Sequence, residues 1–181
     1  MDVVLTMRDD GETSVHAKPA TPGLIPGTAT WLTALRRYLI AIALGNLLWE
    51  FAQLPLYTIW HEGRTGEILF AVIHCTGGDI LIASMALLGA LIVAGNARWP
   101  NARFRPVTAT AIVGGLDYTV FSEWLNTEIR GSWAYTELMP QLPLIGSGVS
   151  PLAQWIVVPM AAFWWARRPF ATGQQPKENP L

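Results

Sequence analysis

The segment from Ile68 to Ala94 is the feature of this sequence that most limits its fold. It reads ILFAVIHCTGGDILIASMALLGALIVA, and its charge-bearing side chains are one histidine, His74, and one aspartate, Asp79. A helix needs about 20 mostly apolar residues to cross the hydrocarbon core of a bilayer, and this segment exceeds that length. It therefore predicts a membrane-spanning helix.

The composition of the whole chain agrees with an embedded protein. Hydrophobic residues make up 51% of the sequence and charged residues 14%, where soluble domains carry about 25% charged residues. The formal net charge is −1, so the chain lacks the overall positive charge that would indicate a nucleic-acid partner. Cys75 is the single cysteine, which excludes an intramolecular disulfide. The lipid bilayer is thus the first expected partner.

Four segments have the length and composition of membrane-spanning helices. They cover about residues 35–59, 68–94, 106–127 and 151–166. We therefore expect an all-α fold, a four-transmembrane-helix bundle over residues 31–168, with flexible tails at 1–30 and 169–181. Ser150 and Pro151 are suited to open the last helix, and Pro55 and Pro159 should each interrupt a helix and bend it.

The basic residues predict the orientation of these helices. Ten of the twelve Lys and Arg residues lie before the first helix, between the second and third, or after the fourth; Arg64 and Arg130 are the other two. Cytoplasmic loops of membrane proteins carry such an excess of positive charge. We therefore expect a multi-pass protein of the plasma (cytoplasmic) membrane with both termini in the cytoplasm.

Five ionisable side chains interrupt the apolar segments, and all five lie in the half predicted to be non-cytoplasmic. They are Glu50, His74, Asp79, Asp117 and Glu123. At 1.5 Å rise per residue, each lies within about 15 Å of the non-cytoplasmic helix ends. An ionisable group in lipid is costly and usually faces the interior of a bundle. The segregation of these residues predicts one polar pocket that opens away from the cytoplasm.

A divalent metal ion is one way to relieve repulsion among four carboxylates. In this hypothesis Glu50, His74 and Glu123 bind the metal, and Asp79 or Asp117 acts as a catalytic base or supports the ligands. A mixed set of imidazole and carboxylate ligands suits zinc, manganese or iron. The protein would then be a metal-dependent membrane enzyme that acts on a lipid or small molecule.

Two other functions remain open at this stage. Protonatable carboxylates near the midplane are typical of proton- or cation-coupled carriers and binding proteins, for which a homo-oligomer would be needed. An accessory subunit of a membrane complex would instead use its polar residues to contact a partner. Taken one at a time, each ionisable residue also has a purely structural interpretation, such as a hydrogen-bonded core histidine for His74.

The loop at residues 128–149 is rich in proline, glycine and aromatic residues. Long loops of this composition are often lids or binding loops, and a passive connector is the alternative.

Overall fold

The computed structural model describes residues 28 to 168, so most of both predicted tails lies outside the described part of the chain. The α-helices are α1 (Thr28–Gln53), α2 (Ile59–Glu62), α3 (Thr65–Ala94), α4 (Phe104–Trp124) and α5 (Val149–Ala166). A 3-10 turn, Leu54–Leu56, follows α1, and a π turn, Leu125–Ile129, extends α4. Residues 28–168 contain no β-strand, which confirms the all-helical prediction.

The four long helices are arranged in a ring. Helix α1 packs against α3 and α5, and α4 packs against the same two helices from the opposite side. Three of the four are long and apolar enough to cross a membrane, namely Trp31–Leu56, α3 and α5. Helix α4 is not among them, because threonines, Asp117 and Glu123 lower its hydropathy. The chain is therefore a helical membrane protein, and a fourth span at α4 stays a prediction.

Two helix ends differ from the sequence predictions. Helix α1 ends at Gln53, so Pro55 lies in the 3-10 turn, where its missing N–H breaks no α-helical hydrogen bond. Helix α5 begins at Val149 with Gly148 as its N-cap, and Ser150 is already inside the first turn. The Ser150 hydroxyl is therefore directed to another helix and does not cap α5. Pro159 does lie inside α5, as predicted.

An apolar core fills the end of the ring that carries most of the arginines. We call this the arginine-rich end; within residues 28–168 it is marked by Arg36, Arg37, Arg98, Arg103, Arg105, Arg167 and Arg168. The Phe163 ring lies 4.7 Å from the Tyr38 ring and 5.9 Å from the Phe104 ring, centroid to centroid. Small residues such as Ala34, Ala90 and Ala162 complete a closely packed core. This end of the ring is closed.

Helices α4 and α5 approach each other closely at Gly115. A Cβ atom at this position would overlap the indole ring of Trp155, which only a glycine avoids. Trp155 is itself buried and joins the apolar core to the other end of the ring. The contact therefore fixes how far α4 stands from α5.

The loop between α4 and α5 crosses the opposite end, which we call the cavity end. Backbone hydrogen bonds attach it to the connection after α1: Thr58 donates to Ala134 and Thr136 donates to Leu56, both at 3.0 Å between N and O. The Tyr57 and Tyr135 rings also pack together, with centroids 5.5 Å apart. This loop is thus a roof over the helix ends.

Candidate functional site

A cavity of about 780 Å³ lies beneath this roof, among the four long helices. Four of the five ionisable residues predicted from the sequence line it: Glu50, His74, Asp79 and Glu123. They come from α1, α3 and α4, so the fold brings together side chains that are far apart in the chain. The structure brings these four residues to the same end of the helices.

Gln154 of α5 is at the centre of the polar network in this cavity. Its side chain is 2% exposed, and its Nε2 donates to Asn46 Oδ1 at 2.9 Å, Asp79 Oδ2 at 3.0 Å and Glu50 Oε1 at 3.2 Å. An amide nitrogen carries two hydrogens, so at least one hydrogen is shared between acceptors. Gln154 therefore links α5 to both α1 and α3.

A second series of hydrogen bonds joins α1 to the start of α5. Gln53 Nε2 donates to Glu50 Oε1 at 2.9 Å and to Gln154 Oε1 at 3.3 Å. Ser150 Oγ donates to Gln53 Oε1 at 2.8 Å, and Trp49 Nε1 donates to Ser150 Oγ at 3.2 Å. Asn46, Glu50 and Gln53 occupy one face of α1, as their 4- and 3-residue spacing requires.

The Glu50 and Asp79 carboxyl groups are within hydrogen-bonding reach of each other. Two ionised carboxylates have only acceptors, so a hydrogen bond between them would require a proton on one of them. Both side chains are half-buried, and two negative charges so close together would repel each other. A proton on one of the two acids would remove that repulsion.

Glu123 is 6% exposed and accepts a hydrogen bond from the Tyr135 hydroxyl of the roof. The same phenolic oxygen accepts a hydrogen bond from Gly148 N at 3.1 Å. Burial, followed by the Glu123 carboxylate, raises the pKa of Tyr135 above its ordinary value near 10. Tyr135 therefore remains a hydrogen-bond donor at physiological pH and holds the roof to α4.

His74 reaches the cavity from an exposed position on α3. Its ring stacks on Phe70, with centroids 5.4 Å apart and an interplanar angle of 16°. Within residues 28–168, no three His, Cys, Asp or Glu side chains form a group that could hold a metal ion. Glu50, His74 and Glu123 thus share one cavity without forming such a group, and metal binding stays a prediction.

Asp117 is the one predicted site residue that lies away from the other four. It is exposed on the outer face of α4 and does not line the cavity. The sequence suggested this difference, because Asp117 does not share the face of Thr119 and Glu123 at 100° per residue. Its predicted catalytic role therefore has no support from its position.

The sequence prediction missed Gln154 and Tyr135 as members of the site, whereas Arg130 is one of the two basic residues that it placed on the non-cytoplasmic side. Arg130 lines the mouth of the cavity, and the other two bind its carboxyl groups. A signal for Gln154 was present: it is the single amide in an otherwise apolar α5. A polar side chain in such a helix usually faces a partner inside the protein.

The fold and the cavity together define a helical membrane protein with a polar cavity at one end of its helices. Comparison of the chain with protein families, curated proteins and solved structures gives no match.

Proposed function

We propose that the protein binds a small ligand with an ammonium group in this cavity, and that the Glu50–Asp79 pair releases one proton to the solvent at the cavity end when the ligand enters. The observation that carries the proposal is the meeting of three acidic side chains in one cavity. Glu50, Asp79 and Glu123 come from three different helices and surround a space large enough for a small molecule.

The charges around the cavity support a cationic ligand. Arg130 is the one lysine or arginine among the residues that line it, and it is exposed at the mouth. Arg64, the other arginine near this end, forms an ion pair with Glu67 at 2.7 Å and is exposed. The three acids therefore lack a buried counter-charge from the described part of the chain. An ammonium group supplies both the charge and N–H donors for carboxylate oxygens.

The closed arginine-rich end supports binding over transport. A carrier needs a polar path to the second side, whereas the residues below Gln154 and Asp79 form the apolar core. Trp155 lines the cavity on one side and packs in that core on the other. Ligand entry and release through the cavity end fit this arrangement.

The proposal is tested by titrating the detergent-purified protein with ethanolamine and following the tryptophan fluorescence. Trp133 and Trp155 line the cavity, so they report on occupancy. We expect saturable binding, weakened at least tenfold in Glu50→Gln and Asp79→Asn. Asp117→Asn is the matched control, because it removes the same charge outside the cavity, and its affinity should equal that of the wild type.

Two results would contradict the proposal. Absence of saturable amine binding in folded wild-type protein is the first. The second is saturable binding of Zn²⁺ or Mn²⁺ that depends on Glu50, His74 and Glu123 while amines have no effect. That second result would favour the metal-dependent enzyme predicted from the sequence.

A further inference from the structure

The cavity reaches the outside of the protein through the side of the helix ring as well as at its end. Among the long helices of residues 28–168, three residues line the cavity and are also exposed: Glu67, His74 and Tyr118. Glu67 is in the first turn of α3, at the cavity end itself. His74 and Tyr118 lie deeper, on the neighbouring helices α3 and α4, whereas the cavity-lining residues of α1 and α5 are buried or half-buried.

The order of residues around α3 indicates that this side opening lies next to α4. Helix α3 packs against α1 and α4, and the Asp79 carboxyl group is within reach of Glu50 on α1. At 100° per residue, the cavity-lining arc of α3 runs from Asp79 to His74. The residues within this arc are Ala71, Cys75 and Gly78. His74 is thus at the edge away from α1, which is the edge beside α4.

The side opening lies at the depth of lipid chains. Helix α3 has 30 residues and is about 45 Å long, the thickness of a bilayer with both headgroup layers. His74 is about 14 Å from the start of α3, and Tyr118 is about 16 Å from the end of the π turn, both deeper than a headgroup layer of about 5–8 Å. The neighbouring outward residues of α3 are apolar, with Phe70 and Ile73 each 68% exposed and Leu81 64% exposed. A molecule that meets this opening from outside is therefore a lipid.

The interior of the cavity favours a particular kind of lipid headgroup. Glu50, Asp79 and Glu123 line the cavity beyond the opening. A primary ammonium group complements these acids, because it supplies a positive charge and three N–H donors. A headgroup that is only anionic would be repelled.

We propose that the ligand of the cavity is a membrane lipid with a primary-amine headgroup, whose ammonium group lies among the three acids while a hydrocarbon chain passes between His74 and Tyr118 into the bilayer. This inference rests on the proposed function and names the molecule that carries the ammonium group.

The first test is photolabelling of the full chain in phosphatidylglycerol vesicles that contain a little phosphatidylethanolamine with a diazirine in the first half of one acyl chain. We expect adducts on His74 and Tyr118. Phosphatidylglycerol with the same diazirine chain is the control, because it lacks the amine. It should label these two residues about tenfold less, the ratio that a preference of about 1.4 kcal/mol gives. Outward residues such as Leu81 should react equally with both lipids.

The second test fills the side opening. Gly78 lines the cavity, and a Cβ atom there would meet nothing within 4 Å, so Gly78→Leu adds a side chain to the opening. Labelling by phosphatidylethanolamine should fall to the level of the phosphatidylglycerol control. Gly77→Leu is the matched control, because Gly77 has the same free space but does not line the cavity, and it should keep the wild-type labelling. If Gly78→Leu does not fold, the wild-type labelling in the first test decides.

A soluble amine separates this inference from the proposed function. Excess ethanolamine should compete for the acids and reduce labelling of His74 and Tyr118 by phosphatidylethanolamine. Equal labelling by the two lipids, or labelling that ethanolamine leaves unchanged, would overturn the inference. Saturable ethanolamine binding in the fluorescence titration, found together with equal labelling, would leave the proposed function standing for soluble amines alone.

Discussion

At the scale of single residues, the site depends on an amide as much as on its acids. Gln154 donates to Glu50, Asp79 and Asn46 at once and accepts from Gln53. An uncharged donor holds two acids close together without neutralising them, which an arginine would do. The acids consequently remain available to a cation.

We predict that Gln154→Leu lowers the free energy of unfolding by about 3 kcal/mol, because the buried Asn46 and the half-buried Glu50 and Asp79 lose their donor. The thermal unfolding midpoint in detergent, followed by circular dichroism, measures the effect. Gln141→Leu, at an exposed position of the roof, is the control and should leave the midpoint unchanged. Equal midpoints for the two variants would mean that Gln154 does not support the network.

A second residue-scale prediction concerns Tyr135 and alkaline pH. Burial and Glu123 raise the pKa of Tyr135 in the folded protein above its value near 10 in the unfolded chain. Its contribution to stability is therefore complete below about pH 10 and is lost as the pH rises through the folded-state pKa. The wild type should lose stability steeply above that pH, and Tyr135→Phe should lose it less steeply.

The measurement is the unfolding midpoint at several pH values between neutral and strongly alkaline. Tyr57 also has a raised pKa, through burial and then the nearby Glu123, so part of the alkaline loss should persist in Tyr135→Phe. At neutral pH the free energy of unfolding of Tyr135→Phe should be about 1–2 kcal/mol lower than that of the wild type. The reason is that Glu123 and Gly148 each lose their hydrogen bond to the Tyr135 hydroxyl. Identical alkaline profiles for variant and wild type would contradict this account.

At the scale of helices, the spacing of small and large residues determines how the elements pack. Gly115 and Trp155 fit together because one has no side chain and the other has the largest. The sequence shows both residues but does not show that they face each other, since that depends on the rotation of two helices distant in the chain.

We predict that Gly115→Ala lowers the free energy of unfolding by about 1–3 kcal/mol, as overpacking in a core does. Gly77→Ala is the matched control, because a Cβ atom there meets nothing within 4 Å. The control should be neutral or slightly more stable, since alanine favours a helix over glycine. Comparable losses in both variants would indicate a general effect of glycine replacement and not the contact with Trp155.

Position along a helix can be predicted from the sequence, whereas the rotation of one helix against another cannot. The number of long helices and the end at which Glu50, Asp79 and Glu123 gather follow from apolar length and from position along each helix. The inward or outward direction of a side chain also depends on packing between helices, so depth along the helix placed Asp117 with the others although its face differs from that of Glu123. Tyr135 lies in a loop, and no periodicity indicates which residue of a loop reaches a carboxylate.

At the scale of the whole molecule, charge is divided between the two ends. The arginine-rich end carries seven arginines within residues 28–168, and the cavity end carries Arg64 and Arg130. Arg167 lies over the Phe104 ring, 5.2 Å from its centroid, and Arg168 lies 3.7 Å from that of Trp164. Such contacts keep the guanidinium groups at the ends of the helices, where the positive-inside rule acts.

We predict that reporter fusions after Gly63 are active outside the cytoplasm and fusions after Asn101 are active inside it. The prediction depends on the distribution of basic residues. Alkaline phosphatase and a cytoplasmic fluorescent protein, fused at each position, report opposite sides and serve as mutual controls. A phosphatase signal at Asn101 would show that the orientation is opposite to the one predicted.

The apolar core beneath the cavity has an electrical consequence. A cation that enters from the cavity end and stops beside Asp79 crosses about half of the membrane and cannot continue. It therefore experiences about half of the membrane voltage, which is about 1.2 kcal/mol per charge at 100 mV. In the proposed exchange the Glu50–Asp79 pair releases a proton through the same half of the membrane, so cation entry and proton release together move no net charge. Affinity measured in detergent should accordingly equal affinity in energised membranes at the same pH.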